Sequence, residues 1–488
     1  KRLLASLSAA GAETHLCLDA SLARLAALLF PDVVLHPIRA HGGAGLRADP
    51  AALGRALLGE NRRAFAELAA LGFDAVYNLN FSGLNFALAG LFDRDSVRGY
   101  ARRQGQDLKG PWPDLAMRWA ADRRIGLNLV DFWGHYVKNP IQPESVNPKA
   151  EPRGGGVGVV LAGRESRRSL PPETLAALAG LLRDVLGARR IVLLGSAAEA
   201  ACGRAVTRAL AGRHAGSVED LAGKTDWAGL VETVAGLDTV LTPDTGVMHL
   251  ACHLGVPVRA MFLSSAWCWE TGPYGAGHRV YQAAMPCAPC LESRPCGLGV
   301  RCLAPFTTPE FQRFLARGEA RFLPPGLLAL ETGFDALGVT YAPSAGPDDE
   351  SAPRRAALRR LLAEQRRVAA AFPAPGTAGA GRTPGFAAEN GFPEAPGATE
   401  AAETAGSPPS AGEGAAPAPP APPSGVNAAP DRAHAGPADA NAPSGDAAAV
   451  PPPLPAADPR MVHELARHLF QERQWLPERQ DSRNFTYD

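Results

Sequence analysis

The chain has 488 residues, enough for two domains and additional segments. Its 49 Lys and Arg balance 49 Asp and Glu, so no global charge favours a nucleic-acid partner. No apolar run approaches the roughly 20 residues of a membrane span; the nearest, Leu84 to Phe92, is short and contains Asn85. No signal-peptide pattern opens the sequence. The eight cysteines, four scattered and four clustered, fit a reducing compartment better than a disulfide-stapled domain.

The sequence opens inside a helix-like run, KRLLASLSAA, without an initiating Met, and a segment upstream is expected. A strand THLCLD, a helix SLARLAALLF and a strand VVLHPI follow. After them come a helix over about Pro50–Gly72, a strand FDAVYNLN and a helix FSGLNFALAGLF. Alternation of this kind predicts a parallel sheet covered on both faces. From Arg98 to about Glu151 the pattern is irregular, and RGGG at 153–156 reads as a hinge.

A second alternating series begins at Val157: strand VGVVLAG, helix TLAALAGLLRDVL, strand RIVLLG, helix AACGRAVTRALAG, the turn LAGKTDW and helix AGLVETVAGL. It ends in a short strand Thr239–Thr242, a tight turn Pro243-Asp244-Thr245-Gly246, a helix from about Val247 to Leu254, and a strand Val258–Leu263. Gly255 and Pro257 mark the helix stop. Strand, helix and strand at this spacing predict parallel neighbours, with the turn at the carboxyl edge of the sheet, where open α/β sheets bind ligands.

Three loops should leave that edge together: Gly163–Pro172, Gly195–Glu199 and Pro243–Gly246. The first carries Arg164, Arg167 and Arg168, whose guanidinium forks suit a diphosphate, though such a run also occurs as a solvated surface. The second carries Glu199, suited to accept from sugar hydroxyls or merely to decorate a helix start. The third offers Asp244, Thr245, the helix start at Gly246 and, one turn in, His249. This is an anion site if the helix end is open, and a simple cap if it is not. Neither GxGxxG after a strand nor GxxxxGK[ST] is present, which disfavours dinucleotide dehydrogenases and P-loop NTPases.

GRESRRSLPPE, LLGSAAE, LAGKTDWAGL and TPDTGVMHLACHLGVP, in this order, resemble the C-terminal domain of glycosyltransferase family 9, the heptosyltransferase-like enzymes of lipopolysaccharide core synthesis. FDAVYNLNFSG resembles part of that family's N-terminal domain. The resemblance, over roughly residues 1–320, implies an α/β chain of GT-B architecture, two Rossmann-like domains with a cleft between them: an acceptor-side domain at 1–152 and a donor-binding domain at 153–340. Composition and periodicity add a disordered C-terminal tail, an Ala/Pro-rich linker at 341–457 followed by a short helical segment at 458–488.

The activity it implies is inverting transfer of a sugar, ADP-heptose being the expected donor, onto a lipid-linked saccharide acceptor of the lipopolysaccharide-core type, with no cofactor required for catalysis. Arg168 would stabilise the leaving group, standing where the family more often has Lys. Glu199, Thr225, Asp244, Thr245, Gly246 and His249 would bind the donor. The family's Gly-Asp loop carrying the presumed general base has no counterpart in this sequence. A cytoplasmic location is implied, peripheral at the inner face of the membrane. Rival readings are another GT-B enzyme such as a nucleotide-sugar 2-epimerase, and a degenerate, non-catalytic scaffold.

Cys287, Cys290, Cys296 and Cys302 could hold a structural zinc as four thiolates, although the later pair is spaced too widely for a zinc knuckle. After about Tyr341 a basic helical run (352–372) leads into Ala/Pro/Gly-rich sequence, expected to be disordered. The basic run could touch anionic lipid. The last stretch recovers helical periodicity at Met461, Leu465 and Leu469, a helix whose partner is unknown.

Overall fold

The computed structural model describes residues 1–40, 50–103, 106–122, 126–163, 166–290, 295–349 and 351–371. All of these lie in one compact unit, Lys1–Ala387 with Leu476–Asp488; a second unit, Ala388–Trp475, falls outside the described residues, as does the expected terminal helix.

The first part of the chain follows the expected alternation. Helix α1 (Arg2–Ala9) precedes β1 (His15–Asp19), α2 (Ala23–Leu29), β2 (Val34–Ile38), α3 (Pro50–Ala70), β3 (Val76–Asn78) and α4 (Gly83–Ala89). Strands β1 and β2 pair in parallel. The stretch read as irregular contains regular structure: β4 (Val97–Arg103), β5 (Gln106–Lys109), α5 (Pro111–Asp122) and α6 (Leu129–Gly134). Strand β4 pairs parallel to β3 and antiparallel to β5. Strand β4 is rich in Arg and Gly, so it lacks the apolar run that makes a strand visible in sequence. Trp112 stacks on Phe132 with ring centroids 4.6 Å apart, and Trp133 packs edge-on against Tyr100 and Tyr136, so both serve packing.

The second part is one eight-stranded sheet. Its elements are β6 (Val157–Val160), α7 (Pro172–Leu186), β7 (Ile191–Leu194), α8 (Ala200–His214), β8 (Val218–Asp220), α9 (Trp227–Ala235), β9 (Thr239–Pro243), α10 (Gly246–His253), β10 (Val258–Phe262), α11 (Cys268–Thr271), β11 (Arg279–Ala283), α12 (Pro309–Arg317), β12 (Leu327–Asp335) and β13 (Gly338–Ala345). Spatial order is β13-β12-β11-β10-β9-β6-β7-β8. The six strands β6 to β11 are parallel, while β12 and β13 join antiparallel. Numbered from β6, the parallel strands run 3-2-1-4-5-6, the doubly wound order of nucleotide-binding Rossmann folds.

Each element forms for a local reason. Helix α7 starts behind Pro171-Pro172 and stops at Gly187 in the left-handed conformation (φ 61°). The parallel strands are short apolar runs because both faces are covered. Val157, Val159, Ile191 and Leu193 pack with Leu175, Leu178 and Leu182 of α7 and with Phe311 of α12 on one face. Val160, Val192, Leu194, Val240 and Phe262 pack with Val234, Met248 and Leu250 on the other. The alternation of Val159 and Val160 between the faces is the two-residue period of a strand.

Strand β13 runs to Ala345, past the expected boundary at 340, and α13 (Ala352–Ala371) is the basic helical run expected over 352–372. In α13, Arg355 lies against Trp269, 4.0 Å from its centroid, and pairs with Asp349, while Arg359 pairs with Asp335. These two cations of the basic run face the domain rather than a membrane. The Gly-rich hinge is pinned too: Arg153 and Gly155 N–H groups donate to Leu237 and Gly236 carbonyls, and Asp238 accepts from Gly154 and Gly156.

Candidate donor-binding site

The strand order reverses between β6 and β9, which are neighbours in the sheet but open in opposite directions of winding. Loops leaving their carboxyl ends must diverge there and leave a crevice. After β6 the chain turns at Gly163, where a Cβ would lie 2.5 Å from the Arg168 carbonyl, and Gly163 N–H donates to Ser169 Oγ. A 3-10 turn, Ser166–Arg168, then buries Arg168. After β9, Asp244 and Thr245 lead into α10.

The two loops meet. Arg168 Nη2 donates to the Asp244 carbonyl at 2.7 Å and to Asp244 Oδ2 at 2.9 Å. The side chains are only 10% and 13% exposed, so this charge-assisted pair is little screened. Thr271 Oγ1, at the end of α11, donates to the same Oδ2 at 3.1 Å. His249 Nε2 lies 3.9 Å from Asp244 Oδ1. Desolvation lowers the His249 pKa, outweighing the attraction of Asp244. Thr245 caps α10, accepting from Met248 N–H at 3.4 Å, and its hydroxyl lies 3.0 Å from that of Thr242. Gly246 is exposed, and no atom lies within 4 Å of where its Cβ would be. Thr245 is therefore a cap, and the helix end beside it stays open to a ligand.

The other expected residues fall into a separate group on the same edge. Glu199 closes a capping box: its Oε2 accepts from Ser196 N–H at 2.7 Å and Ser196 Oγ at 2.6 Å. The role weighed in sequence as decoration of a helix start is the one its carboxylate performs. Gly223 N–H donates to the Gly195 carbonyl, which brings the turn bearing Thr225 against this loop. Arg164 lies outside the described residues.

The four clustered cysteines sit beside the end of β10. Cys290 N–H donates to the Ser264 carbonyl, and Cys290 Sγ lies 3.2 Å from Ser264 Oγ. Burial pushes the Cys302 thiol pKa up, and Cys290, Cys287 and Cys296 add to the rise. Exposed Cys296 is lowered by N–H groups of Leu298 and Val300 and by Arg167. The sulphurs thus feel one another, yet among the described residues no three His, Cys, Asp or Glu side chains are arranged to hold a metal.

Two features escaped the sequence reading. Thr271 joins Asp244 from a short helix 27 residues on. Asp131, completely buried, binds Arg2 Nη1 at 2.7 Å, Tyr274 Oη at 2.6 Å and Val339 N–H at 2.8 Å. A carboxylate inside the apolar run LNLVDFWG was the available signal for Asp131.

Residues 159–297 match the model of glycosyltransferase family 9 (heptosyltransferase). A 92-residue stretch is 36% identical to lipopolysaccharide heptosyltransferase 1 of Pseudomonas aeruginosa; it covers 18% of this chain and spans 26% of that relative's length. Among solved structures, the chain is similar to E. coli ADP-heptose lps heptosyltransferase II (TM-score 0.41, 19% identity, 57% of this chain and 84% of that one). It is also similar to E. coli heptosyltransferase WaaC with ADP (TM-score 0.39, 19% identity, 57% and 87%).

Proposed function

With residues 159–297 carrying a glycosyltransferase family 9 domain, we propose that the chain transfers a sugar from a nucleotide diphosphate donor, ADP-heptose first among candidates, to a saccharide acceptor of the lipopolysaccharide-core type. The observation that supports this most is the meeting of Arg168 and Asp244 at the switch point of the sheet, beside the open amino end of α10. A diphosphate in that crevice would meet a guanidinium whose orientation Asp244 and its loop have already fixed, so less side-chain freedom is lost on binding. The helix start at Gly246 adds backbone N–H groups and a positive dipole end.

Cleavage of the sugar–phosphate bond leaves negative charge on the diphosphate. Preorganised donors stabilise that charge as it develops. His249, one turn inside, lines the same crevice within 3.9 Å of Asp244. Glu199, held by Ser196, marks the rim where a sugar or ribose hydroxyl would bind, and Thr225 lies on the adjoining turn. No residue described here is assigned as the base that deprotonates the acceptor.

Calorimetry with ADP and ADP-heptose, followed by mass analysis of products with and without acceptor, tests the reading. Donor binding with acceptor-dependent release of ADP is the expected result; failure to bind any nucleotide sugar removes it. Cytoplasmic location and contact with an anionic inner leaflet belong to the same proposal. No helix among the described residues is long and apolar enough to cross a membrane. A structural zinc at Cys287, Cys290, Cys296 and Cys302 is part of the same proposal, four thiolates being a complete tetrahedral set. Elemental analysis of protein purified without added metal decides, with four titratable thiols and no zinc as the refuting result.

A further inference from the structure

The opposite, amino-terminal edge of the same sheet holds a cavity of about 410 Å³. Its walls are the starts of β9, β10 and β11, the end of α7 and the pinned linker at Pro152 and Gly154. The strands between it and the crevice are four or five residues long, which puts the two sites roughly 15 Å apart at about 3.3 Å per residue. Its volume lies within the range of ordinary small-molecule sites.

The charge on its walls is unequal. Arg189, Arg259 and Arg279 line it, against a single lining carboxylate, Asp238. Asp238 already accepts hydrogen bonds from Gly154 and Gly156 N–H groups, which stabilise its charge within the protein. Glu331, on the neighbouring strand, lies 3.6 Å from Arg279 with both side chains about half exposed, a pairing that contributes little. Arg259 is oriented along the sheet by the Tyr281 hydroxyl at 3.4 Å, and Arg189 by the Gly154 carbonyl at 3.3 Å. The carboxyl end of α7 brings partial negative charge to one wall, so the arginines alone supply the attraction for an anion. Leu186 and Pro257 give the cavity an apolar side.

We propose that this cavity binds a phosphorylated small molecule of two or more negative charges, separately from the donor crevice. Guanidinium forks match phosphate oxygens in geometry as well as charge, and the apolar wall accepts a ring or short carbon chain. Binding would clamp the linker at Gly154 to the sheet edge through Arg189.

The test uses the full chain and inorganic pyrophosphate, titrated by calorimetry. Arg168→Gln removes the crevice cation, and Arg189→Gln with Arg279→Gln removes two cavity cations at exposed positions. Binding should persist in Arg168→Gln, whose crevice no longer offers its cation to the probe, and weaken by about tenfold or more when Arg189→Gln and Arg279→Gln are added to it. An unchanged circular dichroism spectrum reports that the triple variant is folded. Absence of pyrophosphate binding in Arg168→Gln, or equal affinity in the folded triple variant, would overturn the proposal.

Discussion

Two of the molecule's Arg–Asp pairs serve opposite ends. Arg2 and Asp131 are 2% and 0% exposed and tie α1, α6 and the β12–β13 turn together. Arg168 and Asp244 are 10% and 13% exposed and tie two loops at the mouth of a crevice. In the first, every neighbour is protein. Besides Arg2, Asp131 receives the Tyr274 hydroxyl and the Val339 N–H, and Arg2 also donates to the Leu337 and Ile141 carbonyls. In the second, one side opens to solvent beside Gly246. A saturated pair fixes a fold, whereas a pair at an open edge can hold a cation ready for something else. Burial pushes the Asp131 carboxyl up to about 6 despite those donors.

The sharpest way to break the comparison is Asp131→Ala. It leaves the buried Arg2 guanidinium uncompensated, and unfolding should become easier by about 3–5 kcal/mol in denaturant melts. Asp244→Ala, removing the equivalent partner in the crevice, should cost clearly less stability; equal losses would erase the distinction between the two pairs.

Next in size is a pH effect. Asp131 holds its proton more tightly folded, with a pKa of about 6, than at its ordinary 3.8. Its contribution is therefore complete below about pH 4 and is lost as pH rises through about 6, a decline approaching 3 kcal/mol. Asp131→Asn should flatten that part of the stability–pH curve, read from denaturant melts at a series of pH values.

On the crevice side, Asp244→Asn keeps the side-chain shape but weakens the hold on Arg168. Turnover per bound donor should fall about 10- to 100-fold, measured as kcat/KM for ADP release, with thermal stability changed by little. The smallest effect expected is Thr271→Val, which removes one neutral donor to Asp244. A loss near 1 kcal/mol or less in transition-state stabilisation would place Thr271 as a positioning residue, and a loss as large as that of Asp244→Asn would contradict it.

The sequence was legible where chemistry and geometry are local. VGVV, IVLL and TVLTP are apolar runs bounded by Gly and Pro, and each became a strand of the parallel sheet. The predicted neighbours were β9 and β10, which do pair in parallel, and the convergence of three loops on one edge was expected on condition that the strands are parallel, as they are. What could not be read was pairing at a distance. Arg168 and Asp244 stand 76 residues apart, and no local pattern says that Asp244 would occupy one nitrogen of the guanidinium. Glu199 illustrates the converse, because Ser196 and Glu199 at the spacing of a capping box supply a local use for the carboxylate. Strands β4 and β5 went unseen because Arg98, Arg102 and Arg103 interrupt any apolar alternation.

The turn between β12 and β13 has a bearing on the order of synthesis. Leu337 O accepts from Arg2 Nη1 at 2.8 Å across 335 residues of chain, and from His135 Nε2 at 2.5 Å. Gly338 presses so closely on the Asp131 carboxyl that any Cβ there would collide with it. At ribosomal rates of about 5–20 residues per second, the first helix therefore waits on the order of tens of seconds for the last strand pair that completes its contacts. Layers made before the large sheet are thus among the latest to be finished. A nascent chain stopped before residue 337 should expose Arg2 and α6 to protease, and one extended past β13 should not.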